Sequence, residues 1–270
     1  MANVPIAEST GGNTAVNPAL GGRGLGKTQR TDPWWIEWIS IGGGLLLLGA
    51  YATFAVFQGP MNPGSTHPFM PKGLPYLSPF DSPEFMLWKN HPAVMPAGFI
   101  APLVILCFRG TCYYYRKAYY RVFFADPPGC AVGEARSNYC GETRFPFVLQ
   151  NLHRFFMTLA VFFAGWLWAD AIRSFDWNGR FGIGLGSLIM LANVIFITGY
   201  TLGCHSIRHI VGGGMNCMSC SHAKTKAWSI ASVFNAKHQQ WAWTSLLSVC
   251  FTDLYIRLVG MHVFSDPRIF

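Results

Sequence analysis

Five long apolar segments dominate this chain of 270 residues. A helix needs roughly 20 predominantly apolar residues to cross the ~30 Å hydrocarbon core of a bilayer, and each segment is close to that length. In the sequence the segments cover about 35–57, 97–115, 152–172, 183–204 and 240–260. This pattern predicts an all-α integral membrane protein in which five transmembrane helices form one bundle.

The composition supports a membrane protein. Hydrophobic residues make up 51% of the chain and charged residues only 12%, whereas about 25% of residues are charged in soluble domains. Residues 1–33 are rich in Gly, Asn and Thr and lack an apolar core. We therefore expect a flexible arm there, and no signal peptide, followed by the anchor over 34–270.

Two connections are long enough to have structure of their own. The segment 58–96 is rich in Pro and Gly with interspersed aromatic residues, which predicts an ordered, non-helical cap. The segment 122–150 mixes apolar and charged residues. It is interpreted either as a docking surface for a soluble partner or as a loop that packs on its own helices.

Lys and Arg are distributed unevenly between the two sides of the predicted bundle. Twelve of them lie in the N-terminal arm and the two connections on the same side, against six on the other side. Cytoplasmic loops carry the excess of Lys and Arg, so the N-terminus is predicted to be cytoplasmic and the C-terminus external. The same distribution accounts for the net charge of +8 and gives no reason to expect nucleic-acid binding.

Cysteine and histidine residues collect at one depth, near the cytoplasmic ends of the predicted helices. Cys112 ends the second segment, His153 begins the third, Cys204 and His205 end the fourth, and His238 begins the fifth. Two thiolates and two imidazoles fit a Rieske-type iron–sulfur cluster or a structural zinc site. Two imidazoles alone fit one haem b. Two haems would need histidine pairs at two depths, and only one depth is supplied, which argues against a dihaem cytochrome b. The usual signature of soluble Rieske proteins, which combines C-x-H and C-x-x-H motifs, is not met in this sequence.

Two further patterns have more than one interpretation. The motif Cys217-x-x-Cys220, followed by His222, could be a second metal box, could supply thiolates to the first, or could have no such role. The run CYYYRKAYYR after Gly110-Thr111 is typical of membrane-interface anchors and also of a quinone pocket. The candidate quinone-binding residues are Tyr115, Arg154, His209 and Trp241.

Several strings resemble one known family. They are CYYYRKAYYR, PPGCAV around Cys130, GETRFP, QNLHR, CHSIRH and the closing TDLYIRLV and SDPRIF. Their order from about residue 30 to the C-terminus resembles the membrane anchor of succinate:quinone oxidoreductase, respiratory complex II, and within it the haem-free class called type F. The resemblance implies a multi-pass protein of the bacterial inner membrane. It also implies docking of a flavoprotein and an iron–sulfur subunit on the cytoplasmic side.

The resemblance further implies a Rieske-type [2Fe–2S] cluster within the membrane region, beside a quinone site. The first choice of ligands is His153 and His205 on one iron with Cys112 and Cys204 on the other. The reserves are Cys130, His209 and His238. The chain would relay electrons from the iron–sulfur partner to quinone as a subunit of the enzyme. On its own it would not be active toward succinate. The alternatives are a one-haem anchor, with His153 and either His205 or His238 as axial ligands, and a purely structural anchor that holds zinc.

Overall fold

The computed structural model describes residues 27–28, 30–58, 73–83, 99–124, 143–145 and 147–270, and these residues form a bundle of helices. A 3-10 helix, Phe147–Leu152, leads into α4, and a short hairpin separates α4 from α5. The helices are α1 Trp35–Gln58, α2 Ile100–Thr111, α3 Tyr113–Phe123, α4 His153–Arg173, α5 Leu185–Leu202, α6 His205–Gly212, α7 His222–Ala236 and α8 His238–Gly260.

Four of these helices have the length and hydropathy of membrane spans, namely α1, α4 (extended to Val148), α5 and α8. Their bounds agree within about two residues with four of the five predicted segments. Leucines on α1 leave large parts of their side chains uncovered, 62% for Leu46 and 71% for Leu47. Apolar side chains exposed to this extent fit lipid, because a bilayer replaces the protein core as their surroundings.

The predicted second span is not one long helix. Residue Cys112 has an extended backbone (φ −65°, ψ 132°), and this separates the apolar α2, of 12 residues, from the more polar α3. The described residues therefore contain four helices of spanning length and a shorter apolar fifth. The five-span topology and the orientation in the membrane stay predictions.

The centre of the bundle is α5, which packs against both α4 and α8, while α1 packs against α3 and α8. Glycine allows one of these close approaches. A Cβ on Gly199 of α5 would come within 2.6 Å of the Trp241 ring of α8. The small residue therefore lets α5 and α8 approach each other closely beside the site described below.

The end of the bundle opposite α6 is closed by the hairpin and the C-terminal segment. Strands β1 (Asp176–Trp177) and β2 (Arg180–Phe181) pair antiparallel around Asn178 and Gly179, both at positive φ. An Asn-Gly pair favours this kind of tight turn. The last residues pair with the start of α5, and the Asp266 carboxylate accepts the Gly186 amide at 2.9 Å. A carboxylate at this position satisfies an unpaired N–H and opposes the positive end of the helix dipole.

The described part of the predicted cap, residues 73–83, is non-helical and is fastened to the same end by three hydroxyl–carboxylate contacts. Tyr76 donates to Asp266 at 2.7 Å, Ser78 donates to Asp253, and Ser82 donates to Asp170. Burial raises the pKa of the Tyr76 phenol, so Tyr76 remains a hydrogen-bond donor at physiological pH. The cap is thus held by polar contacts to α4, α8 and the C-terminal segment.

Candidate metal centre

Two thiols and two imidazoles meet at the other end of the bundle. The His153 Nε2 atom lies 3.0 Å from Cys204 Sγ, and His238 Nε2 lies 3.4 Å from Cys112 Sγ. All four residues line one cavity of about 590 Å³. The thiols come from Cys112 and Cys204, which are both buried.

The backbone explains why these four side chains converge. Each cysteine is the extended residue at a break between two helices, Cys112 between α2 and α3 and Cys204 between α5 and α6. Each histidine is the first residue of a long helix, His153 of α4 and His238 of α8. Both thiols therefore lie at the N-terminus of the following helix, where the free N–H groups and the helix dipole favour negative charge.

Neighbouring side chains fix the two imidazole rings. The His153 ring stacks on Phe108 at 5.0 Å between centroids, and the His238 ring stacks on Tyr200 at the same separation. Thr111 Oγ1 donates to the Cys107 carbonyl at 2.7 Å and lies 3.0 Å from His153 Nδ1. Because that hydroxyl proton is already used, Thr111 accepts from Nδ1–H. This leaves Nε2 of His153 unprotonated toward Cys204, the arrangement of a ligating histidine.

One ring nitrogen of the cluster has no partner. His238 Nδ1 is buried and has no hydrogen-bond partner within the described part of the chain, while Nε2 of the same ring faces Cys112 Sγ. The Cys204 thiol is also buried, so a thiolate at this position needs a positive partner. A metal would supply that charge, and its binding would displace the thiol proton.

The donor set fits more than one kind of centre. Among the described residues, no three Cys, His, Asp or Glu side chains are placed to hold one metal ion. The donors form two thiol–imidazole pairs around a cavity, His153 with Cys204 and His238 with Cys112. Two thiols and two imidazoles are the donor set both of a Rieske-type cluster, which has the two imidazoles on one iron, and of a tetrahedral zinc site.

Three of the four first-choice ligands take part in this cluster, and the fourth place is taken by His238, one of the reserve candidates. His205 borders the same cavity but is exposed, and its Nε2 lies 3.1 Å from Nε2 of His209. Partial burial, together with His209 and Arg208, lowers the pKa of His205. Cys130 lies outside the described residues.

The Cys217-x-x-Cys220 motif, a possible second metal site in the sequence, forms a disulfide in the structure. Cys217 and Cys220 are joined in a disulfide, so neither thiol is free to bind a metal in this state. His222 begins α7 beyond that disulfide. The free cysteines of the described residues are Cys107, Cys112, Cys204 and Cys250.

The four candidate quinone-binding residues lie in different surroundings. Tyr115 is buried and donates to the Ala242 carbonyl at 2.7 Å. Arg154 and His209 are exposed, and Trp241 packs between α5, α7 and α8 with its indole nitrogen buried and unpartnered among the described residues. None of the four lines the cavity of the metal centre.

The fold and the site define a class: helical membrane proteins with a thiol–imidazole centre at one end of the bundle. Within that class the chain can be assigned to a family. The sequence profile described as actinobacterial succinate dehydrogenase subunit SdhC matches residues 37–262, most of the chain. The protein therefore belongs to this family, and the resemblance to the complex II anchor is confirmed at that level.

A solved structure supports the assignment. The chain is similar to a chain of the Mycobacterium smegmatis Sdh1 complex in the apo form, with 38% identity over 90% of this chain and 94% of that chain. The TM-score is 0.79, which extends the likeness from sequence to the arrangement of the helices. No curated protein matches the chain.

Proposed function

We propose that this chain anchors a succinate dehydrogenase in the membrane and relays electrons to quinone through an iron–sulfur centre. The observation that carries the proposal is the convergence of Cys112, His153, Cys204 and His238 on one cavity. Two thiols and two imidazoles are the donor set of a Rieske-type [2Fe–2S] cluster. The other subunits of the succinate dehydrogenase are its partners, and we propose that a flavoprotein and an iron–sulfur subunit dock on the cytoplasmic side of the bacterial inner membrane.

Each residue has a defined part in this function. When bound, the cluster supplies one-electron transfer at a potential raised by histidine ligation. Cys112 and Cys204 would hold it through thiolates, and His153 and His238 would hold it through ring nitrogens. Thr111 keeps the proton of His153 on Nδ1, while Phe108 and Tyr200 keep both rings in position. Dicarboxylate chemistry belongs to the flavoprotein partner.

Replacing Cys204 by Ala tests this proposal, with Cys107→Ala as the matched control. Cys107 is a free cysteine of α2 that does not line the cavity. In the purified complex we expect Cys204→Ala to lose the Rieske-type electron paramagnetic resonance (EPR) signal and quinone reduction, while succinate still reduces an artificial dye. Cys107→Ala should keep all three. A Cys204→Ala complex with its signal and quinone activity intact would contradict the assignment.

The alternatives give different spectra from the same samples. A haem held by His153 and His238 would give a Soret band. A structural zinc site would give stoichiometric zinc with no added paramagnetic signal. The resemblance of the sequence to the type F anchors favours the binuclear cluster over zinc.

A second cavity next to the metal centre suits the quinone better than the four sequence candidates do. It has a volume of about 410 Å³, lies between α1, α2, α4, α5 and α8, and has an almost wholly apolar lining. This is within the usual range for small-molecule sites. Phe108, Arg109 and Tyr200 line it near the metal centre, and Pro79 and Phe80 of the cap line it elsewhere. Tyr200 is 1% exposed, and its hydroxyl, which lies beside the Cys112 thiol, makes no hydrogen bond of standard geometry within the described structure.

We place the quinone in this cavity, with the Tyr200 hydroxyl donating to a quinone carbonyl. A ring at that position lies beside both Phe108 and Tyr200, the residues that stack on His153 and His238. Electrons then have a short path from the centre, and the apolar lining accommodates an isoprenoid tail.

Filling the cavity tests its role. Ala52 of α1 lines it, whereas Ala50 on the same helix is exposed and does not. We expect Ala52→Phe to raise the apparent KM for quinone by about tenfold, equivalent to ~1.4 kcal/mol of binding energy, because the ring occupies the tail's space. Ala50→Phe should leave the KM unchanged, and both variants should keep the EPR signal. An unchanged KM in Ala52→Phe would rule out this location.

A further inference from the structure

Arg109 is a cation inside the bundle whose described partners are all neutral. It lies in the last turn of α2. Its NH1 donates to Tyr115 Oη at 2.7 Å and to the Ala242 carbonyl at 3.2 Å, and its NH2 donates to Ser245 Oγ at 3.0 Å. No carboxylate of the described residues pairs with it. The buried Arg257, by contrast, forms an ion pair with Asp253 at 2.7 Å.

A cation at this depth needs an anion. Ionisable side chains within a membrane bundle are costly, and they pair with one another or mark a functional site. Neutral acceptors solvate the guanidinium but leave its charge uncompensated. We therefore expect a negative group near Arg109 that is not a carboxylate of the described residues.

Candidates for that group are the thiols of the metal centre. The guanidinium carbon lies 4.6 Å from the centre of the Tyr200 ring, and that ring stacks on His238. The Arg109 carbonyl accepts the Cys112 amide at 3.1 Å. Arg109 is thus linked to two of the four donors. The Tyr200 ring connects it to His238, and its own backbone carbonyl connects it to Cys112.

We propose that Arg109 balances the negative charge of the reduced metal centre and so raises its reduction potential. This inference rests on the proposed iron–sulfur function. Two ferric ions, two sulfides, two thiolates and two neutral imidazoles sum to zero charge. One electron from the partner's iron–sulfur subunit gives one ferrous ion and one net negative charge. A fixed cation stabilises the reduced form, so Arg109 favours electron entry from the partner.

The test is an EPR-monitored redox titration of the intact complex. For unit charges about 10 Å apart at an effective dielectric constant of about 20, Coulomb's law gives an attraction that changes the equilibrium constant for reduction roughly tenfold. That corresponds to about 59 mV for one electron. We expect Arg109→Gln to lower the midpoint potential by this order and Arg109→Lys to keep it near the wild-type value.

A second pair of variants keeps the arginine in place. Ser245→Asp puts a carboxylate beside NH2 and should lower the midpoint potential as Arg109→Gln does, whereas Ser245→Ala should not. A signal with an unchanged midpoint in Arg109→Gln, or equal midpoints in Ser245→Asp and Ser245→Ala, would overturn the role of Arg109 and leave the cluster assignment standing. Absence of the signal from the wild-type complex would overturn the proposed function itself.

Discussion

Replacing His238 by Ala is expected to remove the iron–sulfur centre and to abolish quinone reduction. The His238 ring faces Cys112 at 3.4 Å and is held by stacking on Tyr200, so its loss removes one of the four donors. Succinate oxidation with an artificial dye should continue, because in the proposed function that chemistry belongs to the other subunits. The measurement is iron content and EPR of the purified complex, together with both activities.

The matched control is His205→Ala. His205 borders the same cavity but its ring turns toward His209, so this variant should keep the centre and most of the quinone activity. The two variants distinguish the ligand set proposed from the structure, which includes His238, from the first choice made from the sequence, which includes His205. Loss of the signal in His205→Ala with retention in His238→Ala would show that the sequence-based choice was right.

The second large effect is expected at Asp253, whose carboxylate is fully buried in α8. It accepts from Tyr51 of α1 at 2.6 Å, from Ser78 of the cap and from Arg257 at 2.7 Å. Asp253→Asn leaves the Arg257 charge without its partner, and breaking a buried pair in this way costs about 3–5 kcal/mol. We expect a clear fall in the thermal midpoint of the complex in detergent.

Two controls define the cause of that fall. The double variant Asp253→Leu with Arg257→Met removes both charges, and apolar replacement of a buried pair is often close to neutral. It should therefore recover much of the stability. Arg30→Ala breaks the exposed Arg30–Asp32 pair and should change the midpoint little. An Asp253→Asn complex as stable as the wild type would refute the importance of this network.

The long helices were predictable because their signal is local. A run of some 20 apolar residues is a property of one segment, and the bounds of α1, α4, α5 and α8 follow from it. The break at Cys112 was not predictable in this way. The chain becomes more polar after Cys112, but the nearest glycine is Gly110, and no Pro or Gly stands at Cys112 itself to indicate the extended backbone.

The candidate site was predictable in its depth and its residue types but not in its partners. Cys112, His153 and Cys204 lie at helix ends, as their positions in the apolar segments indicate, and the topology brings those ends together. The choice between His205 and His238 depends on how α6 and α8 are rotated, which a single sequence does not encode locally. The stacking of Phe108 on His153, and the place of Tyr200 as a polar group in an apolar cavity, have no signal in the sequence because both are tertiary contacts.

The measurement that tests the central claim most directly is the iron, acid-labile sulfide and low-temperature EPR of the purified wild-type complex. The account predicts iron and sulfide beyond the clusters of the iron–sulfur partner, and a rhombic Rieske-type signal on reduction. A complex with no iron or signal beyond its partner's own clusters, or with a haem Soret band instead, would contradict it.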